Sequence, residues 1–447
     1  MFAGNCILSY TPLCMAAAEN TAPLFSPPPG SLVRHWLTIL VVAIIALPAP
    51  TIRFLEEAGA AHFDIPPAAE AFIFGLGIFA AATLLTWASE VAETEVSAGL
   101  ALVALALIAV LPEYAIDLYF AWTAPDNPEN AHLAVANMTG GNRLLVGLAW
   151  PAIFLIFYLK TKRNEMPIIS GNSIGVLFLG IATIYSFTIP IRGYLSLVDT
   201  AVLFSIFAAY LFISSRAPPK EHSIFVGPAL AIASLPRGQR RAWILVIFAY
   251  AAVVIFAAAE PFAESLVEAG KNAGIDEFVL VQWVAPLASE SPEFILAGLI
   301  AWRGRYDAAM TILIASKVNQ WTLLMGSLPL AYSISGNTLS PLDFNDRQSI
   351  EVFLTAAQSL FAVAILVSLS VNRWEALALA GLFLTQFFFT SETVHIAYGF
   401  MYLILAFIVF IRDIPRIPHF ARAIRRTIKE PGGAEEGSAE TDNEHPP

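Results

Sequence analysis

One apolar run after another, each near membrane length, is the feature that most constrains this chain. Twelve stretches are apolar enough to cross a bilayer as helices, near residues 36–52, 70–90, 97–122, 132–159, 171–190, 194–213, 242–262, 276–301, 307–332, 349–370, 374–390 and 394–411. Such a crossing takes about 20 residues, and the first and eleventh runs are at the lower limit. The pattern excludes a soluble globular fold and predicts an all-α polytopic membrane protein with about 12 transmembrane helices. Composition agrees, with 57% hydrophobic and 13% charged residues, whereas soluble domains carry about 25% charged residues. The net charge of −11 offers no basic face, so nucleic acid is excluded as a partner. The two cysteines, Cys6 and Cys14, supply neither a disulfide framework nor metal-ligand spacing.

Charge sets the orientation, because cytoplasmic loops carry excess Lys and Arg. Counted alternately from a cytoplasmic N-terminus, one set of loops holds Arg34, "KTKR" (160–163), Arg216, Lys220, "RGQRR" (237–241), Arg303, Arg305, Arg373 and the basic tail from Arg412 to Lys429. The other set holds Glu56, Glu57, Asp64, Asp126, Glu129, Glu264, Glu268, Asp343, Asp346 and Glu392. Both termini are therefore expected in the cytoplasm, in a membrane that the compact size and short central loop assign to a prokaryotic inner membrane. The expected organisation is a disordered tail (1–33), a first membrane half (34–214), a basic loop (215–241), a second half (242–411) and a disordered cytoplasmic tail (412–447). The first 30 residues lack a basic segment and contain "SPPPG", so they do not read as a signal peptide.

The two halves contain a repeat. "PEYAIDLYFAW" (112–122) and "PEFILAGLIAW" (292–302) share Pro-Glu, an aromatic and a terminal Ala-Trp. One lies in the third run and the other in the eighth, so they cross the membrane in opposite senses. Inverted repeats with sites at broken helices are characteristic of secondary transporters. Each Pro removes a backbone N–H and frees the carbonyl four residues earlier, of Ile108 for Pro112 and of Ala288 for Pro292. A carbonyl freed at membrane depth must find a partner or line a wet cavity. Glu113 and Glu293 follow the two prolines, and carboxylate with carbonyl oxygen is the donor set that Na⁺ or Ca²⁺ prefers. A protonated Glu bonded to a neighbouring helix is the alternative. Helical spacing puts Glu290 on the face of Glu293, and Asp117 on that of Glu113. Ser289 and Ser291 could ligate or bond back to their own helix. The next run of each half is polar, with "ANMTGGN" (136–142) and "IASKVNQ" (314–320). Glu90, Glu93, Glu260 and Glu264 read as vestibule groups near the ends of the preceding runs.

These motifs resemble the alpha repeats of the calcium/cation antiporter superfamily, the sodium/calcium exchanger-like membrane proteins. There the first helix of a repeat reads roughly G-[TS]-S-x-P-E and the second N-x-x-G-S-[ND]. The resemblance implies two inverted five-helix units, here with an extra span at each end, and exchange of Na⁺ or H⁺ against Ca²⁺ or another cation by alternating access. It implies Glu113 and Glu293 as central ligands, Asn142 and Ser316 as small polar ligands, and Asn137 as a motif match. The transported cations take the place of any cofactor.

The chain also departs from that pattern. Ile108, Ala109 and Val110 replace the hydroxyl-bearing triplet of the first motif, and Gly141 stands where Ser is expected. Lys317 stands where Asn or Asp is expected, and Arg143 follows Asn142. Three readings of Lys317 follow: an ammonium in an ion subsite that gives up its proton to give H⁺-coupled exchange, a fixed ion pair with Glu290, or a side chain that snorkels to the interface. Arg143 is expected to pair with an acidic group such as Asp117. A channel or a non-transporting receptor on the same scaffold is the competing class. Enzymes are excluded by motif, since HExxH, GxGD and Walker A are all missing.

Overall fold

The computed structural model describes residues 31–92, 95, 111–215, 225, 227–386, 388–389 and 391–429, with backbone alone at Ser31, Pro292 and 427–429. Both cysteines, Glu93 and the triplet 108–110 lie outside these residues, as does the turn that Pro112 was expected to bend. Helices dominate. Among the described residues eight are long and apolar enough to cross a membrane, and a ninth if a bent helix is counted.

The twelve expected runs divide accordingly. Of the third, the described part is the helix Leu111–Thr123. The eighth is the helix Glu277–Trp302, bent by 54° between Ser291 and Glu293, where proline breaks the hydrogen-bond ladder. The ninth, Tyr306–Ser335, is outside the eight because it carries Asp307, Lys317, Asn319 and Gln320. The eleventh, Arg373–Gln386, has 14 residues, which at ~1.5 Å each falls short of a ~30 Å hydrocarbon layer.

The halves share an irregularity. The helix Pro128–Leu144 passes into a π turn, Leu145–Ala149, and continues as Trp150–Thr161. The helix Tyr306–Asn319 passes into a π turn, Gln320–Leu324, and continues as Met325–Ser335. Such wide turns are rare and mark functional segments.

Two short antiparallel ribbons tie the halves together. β1 (Glu165–Pro167) pairs with β4 (Ser370–Asn372), and β2 (Tyr194–Leu195) pairs with β3 (Leu342–Asp343). β1 and β3 each follow a π-interrupted helix, and β2 and β4 each follow the next long helix. The Ser170–Arg192 segment of 23 residues separates β1 from β2. At ~1.5 Å per residue that is a membrane thickness, so the ribbons lie at opposite ends. Capping boxes start the helices that follow β2 and β3, with Ser196 and Asp199 in one and Asn345 and Gln348 in the other.

Pro67–Ala92 packs along Arg237–Ala273, and Pro128–Leu144 along Glu277–Trp302. The core is continuous through both halves, from Phe74 and Ile116 to Trp321 and Phe361. The outermost helices present Leu37, Leu40, Phe400 and Phe407 outward, the apolar surface that lipid covers.

The tail expected to be disordered from residue 412 is instead helical as far as Lys429. Ile417, Phe420, Ala423 and Ile424 recur at helical spacing. Phe420 and Ala423 are buried while Arg422, Arg425 and Arg426 stay exposed. An apolar stripe docked on the protein outweighs the polar composition.

Candidate functional site

The two Pro-Glu segments meet inside the molecule. Glu113, in the first turn of Leu111–Thr123, is buried, as is Glu290, whereas Glu293 is half-buried. These three carboxylates, one from the first half and two from the second, act on one another electrostatically, and Asp117 acts on both Glu113 and Glu290. Glu113 Oε2, Asp117 Oδ2 and Asn137 Oδ1 are buried oxygens with no hydrogen-bond donor. Such groups are costly in a low-dielectric interior, and a hard cation relieves the cost. Among the described residues no three His, Cys, Asp or Glu side chains converge as a closed metal centre. Glu113 and Glu293 therefore do not form a cage by themselves.

Small polar groups surround the carboxylates. Ser316 Oγ donates to Glu293 Oε2 at 3.0 Å. Ser289 bonds back to its own helix, to the carbonyls of Ala285 at 3.3 Å and Pro286 at 3.4 Å, and Ser291 does the same to Leu287. Asn142 donates to the Met138 carbonyl at 2.8 Å, which leaves its side-chain oxygen free to accept from another residue.

The two glycines of "GGN", of which Gly141 is the departure, have a steric cause. A Cβ on Gly140 would overlap the Gln282 carbonyl, and one on Gly141 would overlap Glu290 Oε1. The pair of glycines lets the Pro128–Leu144 helix approach Glu277–Trp302 closely, as small residues do between membrane helices. The extra carboxylate, Glu290, fills the space that a serine at 141 would need.

The pairing expected of Arg143 is corrected, and two of the three readings of Lys317 fall away. Arg143 does not reach Asp117. It pairs with Glu351 at 2.5 Å, donates to Gln386 Oε1 at 3.4 Å and stacks over Trp283 at 5.0 Å. Asp117 accepts instead from Asn137 Nδ2 at 2.8 Å. Lys317 neither pairs with Glu290 nor reaches an interface. It is fully buried, and its ammonium donates to Asn142 Oδ1 at 2.7 Å and to the Asn142 carbonyl at 3.1 Å.

Sequence reasoning missed the group that neutralises Arg143. Glu351 also accepts from Gln282 Nε2 at 2.9 Å and meets His395 Nδ1 at 2.8 Å. The signal was available: Gln348, Glu351, Thr355, Gln358 and Ser359 form a polar stripe at helical spacing in an apolar run. Of the vestibule groups, Glu260 pairs with Arg53, and Glu264 accepts from the Tyr119 hydroxyl at 2.8 Å. Tyr119, Asn130, Glu264 and Glu268 line an open cleft beside it.

Buried carboxylates contributed by two similarly built halves of a polytopic helical protein define an integral membrane cation exchanger, not an enzyme. The sequence profile of the family described as sodium/calcium exchanger protein matches residues 68–216 and 243–391, and the chain belongs to that family. Among solved structures, one described as the H⁺/Ca²⁺ exchanger CAX is 40% identical with a TM-score of 0.83, covering 89% of this chain and 99% of its own. The Ca²⁺/H⁺ antiporter protein YfkE is similar in fold, at 18% identity and a TM-score of 0.56, covering 78% of this chain and 99% of its own. The curated proteins give no match.

Proposed function

We propose that this chain is a secondary active antiporter that exchanges protons against Ca²⁺ by alternating access. One observation carries the reading: the buried Glu113 and Glu290 and the half-buried Glu293, contributed by the two halves, are electrostatically linked. A carboxylate can hold either a proton or part of a divalent ion, and two of them cannot stay ionised side by side without one or the other. The 40% identity to a structure described as an H⁺/Ca²⁺ exchanger favours protons over Na⁺ as the coupling ion. So does the scarcity of hydroxyl ligands, since Ser289 is turned to its own helix.

The twelve-span layout with two inverted five-helix repeats is part of this proposal. The matched π turns and the paired ribbons β1–β4 and β2–β3 support it. Cytoplasmic termini follow from charge, because Lys160, Arg303, Arg373 and Arg416 cluster at the β1–β4 end.

The test is Ca²⁺ flux into proteoliposomes with an imposed pH or Na⁺ gradient. Saturable uptake driven by the pH gradient is expected. Uptake driven by Na⁺ alone would replace the coupling ion, and uncoupled conductance would replace the antiporter by a channel.

A further inference from the structure

Asn142 and Lys317 hold matching places in the two halves. Each lies three residues before its π turn, which begins at Leu145 in one half and at Gln320 in the other. The Lys317–Asn142 hydrogen bonds therefore run between equivalent positions of the two halves. Both side chains are fully buried.

The surroundings of the ammonium are those of a weakly hydrated monovalent cation. It has two neutral oxygens, at 2.7 Å and 3.1 Å, and the face of the Trp321 ring at 4.8 Å. Among the described residues no carboxylate forms an ion pair with it within 4.0 Å. The Asn142 carbonyl sits at the junction of helix and π turn, where the regular ladder is interrupted and a carbonyl can look outward. A buried ion pair is the usual device for holding a lysine, and none is used here. Of the acidic groups, Glu290 acts on Lys317 through space.

We propose that Lys317 is a tethered cation, whose ammonium fills a subsite between the two halves that a mobile alkali ion would otherwise take. The subsite then holds a cationic group supplied by the chain itself. Exchange needs no Na⁺ or K⁺, and each cycle moves one cation fewer than in a site with two neutral side chains there. The inference rests on the antiport reading for its consequence, though the occupied subsite can be measured without transport.

The experiment is equilibrium binding of ⁸⁶Rb⁺ to the purified full chain in detergent, together with Ca²⁺ flux in Na⁺, K⁺ and choline media. Wild type should bind no Rb⁺ and transport equally in the three media. Lys317→Asn should bind about one Rb⁺ per chain, and its flux should rise roughly tenfold from choline to K⁺, the scale of losing or regaining one metal-site contact. A Lys317→Asn protein that binds no Rb⁺ and ignores alkali ions would overturn the tethered cation and leave a purely structural lysine. So would an alkali dependence in wild type, which needs no variant to fold. Absence of any coupled Ca²⁺ flux in wild type would instead remove the antiport reading, with the Rb⁺ result still decisive for the subsite.

Discussion

Gly141 shows how much of the site is set where there is no side chain. Its missing Cβ is the space in which Glu290 Oε1 sits. Gly141→Ala should push Glu290 aside and weaken Ca²⁺ binding by about tenfold, the scale of disturbing one metal-site neighbour. Unchanged affinity by isothermal titration would show that Glu290 is not a ligand. At this scale the sequence was informative about which residues matter and poor about whom they touch. Glu113, Glu293 and Lys317 stand out because ionisable groups are expensive in apolar runs. The partner of Arg143 did not stand out, because Asp117 and Glu351 are both acids within membrane runs and helical spacing says nothing about contacts between distant helices. Lys317 stayed open among three readings for a related reason. A buried ammonium suggests a carboxylate, whereas the protein supplies an amide, a carbonyl and an indole ring.

Among elements, the helix Asp346–Leu366 serves the site without carrying it. Its Glu351 balances Arg143, so the guanidinium next to Asn142 is neutralised by a buried partner. Removing one partner of a buried pair costs more than removing both. Arg143→Gln should destabilise the fold by about 3–5 kcal/mol, and the double change Arg143→Met with Glu351→Leu should recover most of that. Thermal unfolding of wild type and the two variants in one detergent checks this, and equal losses in the single and double variants would contradict it.

A second prediction belongs to the start of the Arg237–Ala273 helix. Glu95 accepts from Arg240 at 2.5 Å and from Arg241 at 2.7 Å. Burial alone would raise its pKa, but these guanidiniums outweigh burial and hold the carboxyl below its usual 4.5. A depressed acid stabilises the fold above its unfolded value and loses that contribution as pH falls through the folded one. Wild type should therefore lose unfolding temperature below about pH 4.5 more steeply than Glu95→Gln. Parallel acid profiles would show that the clamp contributes nothing.

The helix boundaries were largely legible from apolar runs, because a membrane span is specified by length and hydropathy. The π turns were not, since "LVGLA" and "QWTLL" carry no signal that separates a wide turn from a regular helical one. The amphipathic Ile417–Lys429 helix was hidden by its charge, although its apolar residues recur with helical period.

For the whole molecule, the ribbons are the clearest sign of its symmetry. They join first-half and second-half chain at opposite ends and could not have been read from two or three residues each. The proposed orientation makes a direct prediction. Single cysteines at Asp64 and Asp126 should react with a membrane-impermeant maleimide from outside, and those at Arg163 and Arg303 only after the membrane is opened. The reverse pattern would invert the topology.

The central claim is that Glu113 and Glu293, equivalent residues of the two halves, jointly hold the transported ion. It is tested most directly by ⁴⁵Ca²⁺ counterflow in proteoliposomes carrying wild type, Glu113→Gln or Glu293→Gln, each verified as folded by size exclusion. Each single change should abolish counterflow, because neither half holds the ion alone. Counterflow at the wild-type rate in either variant would contradict the account.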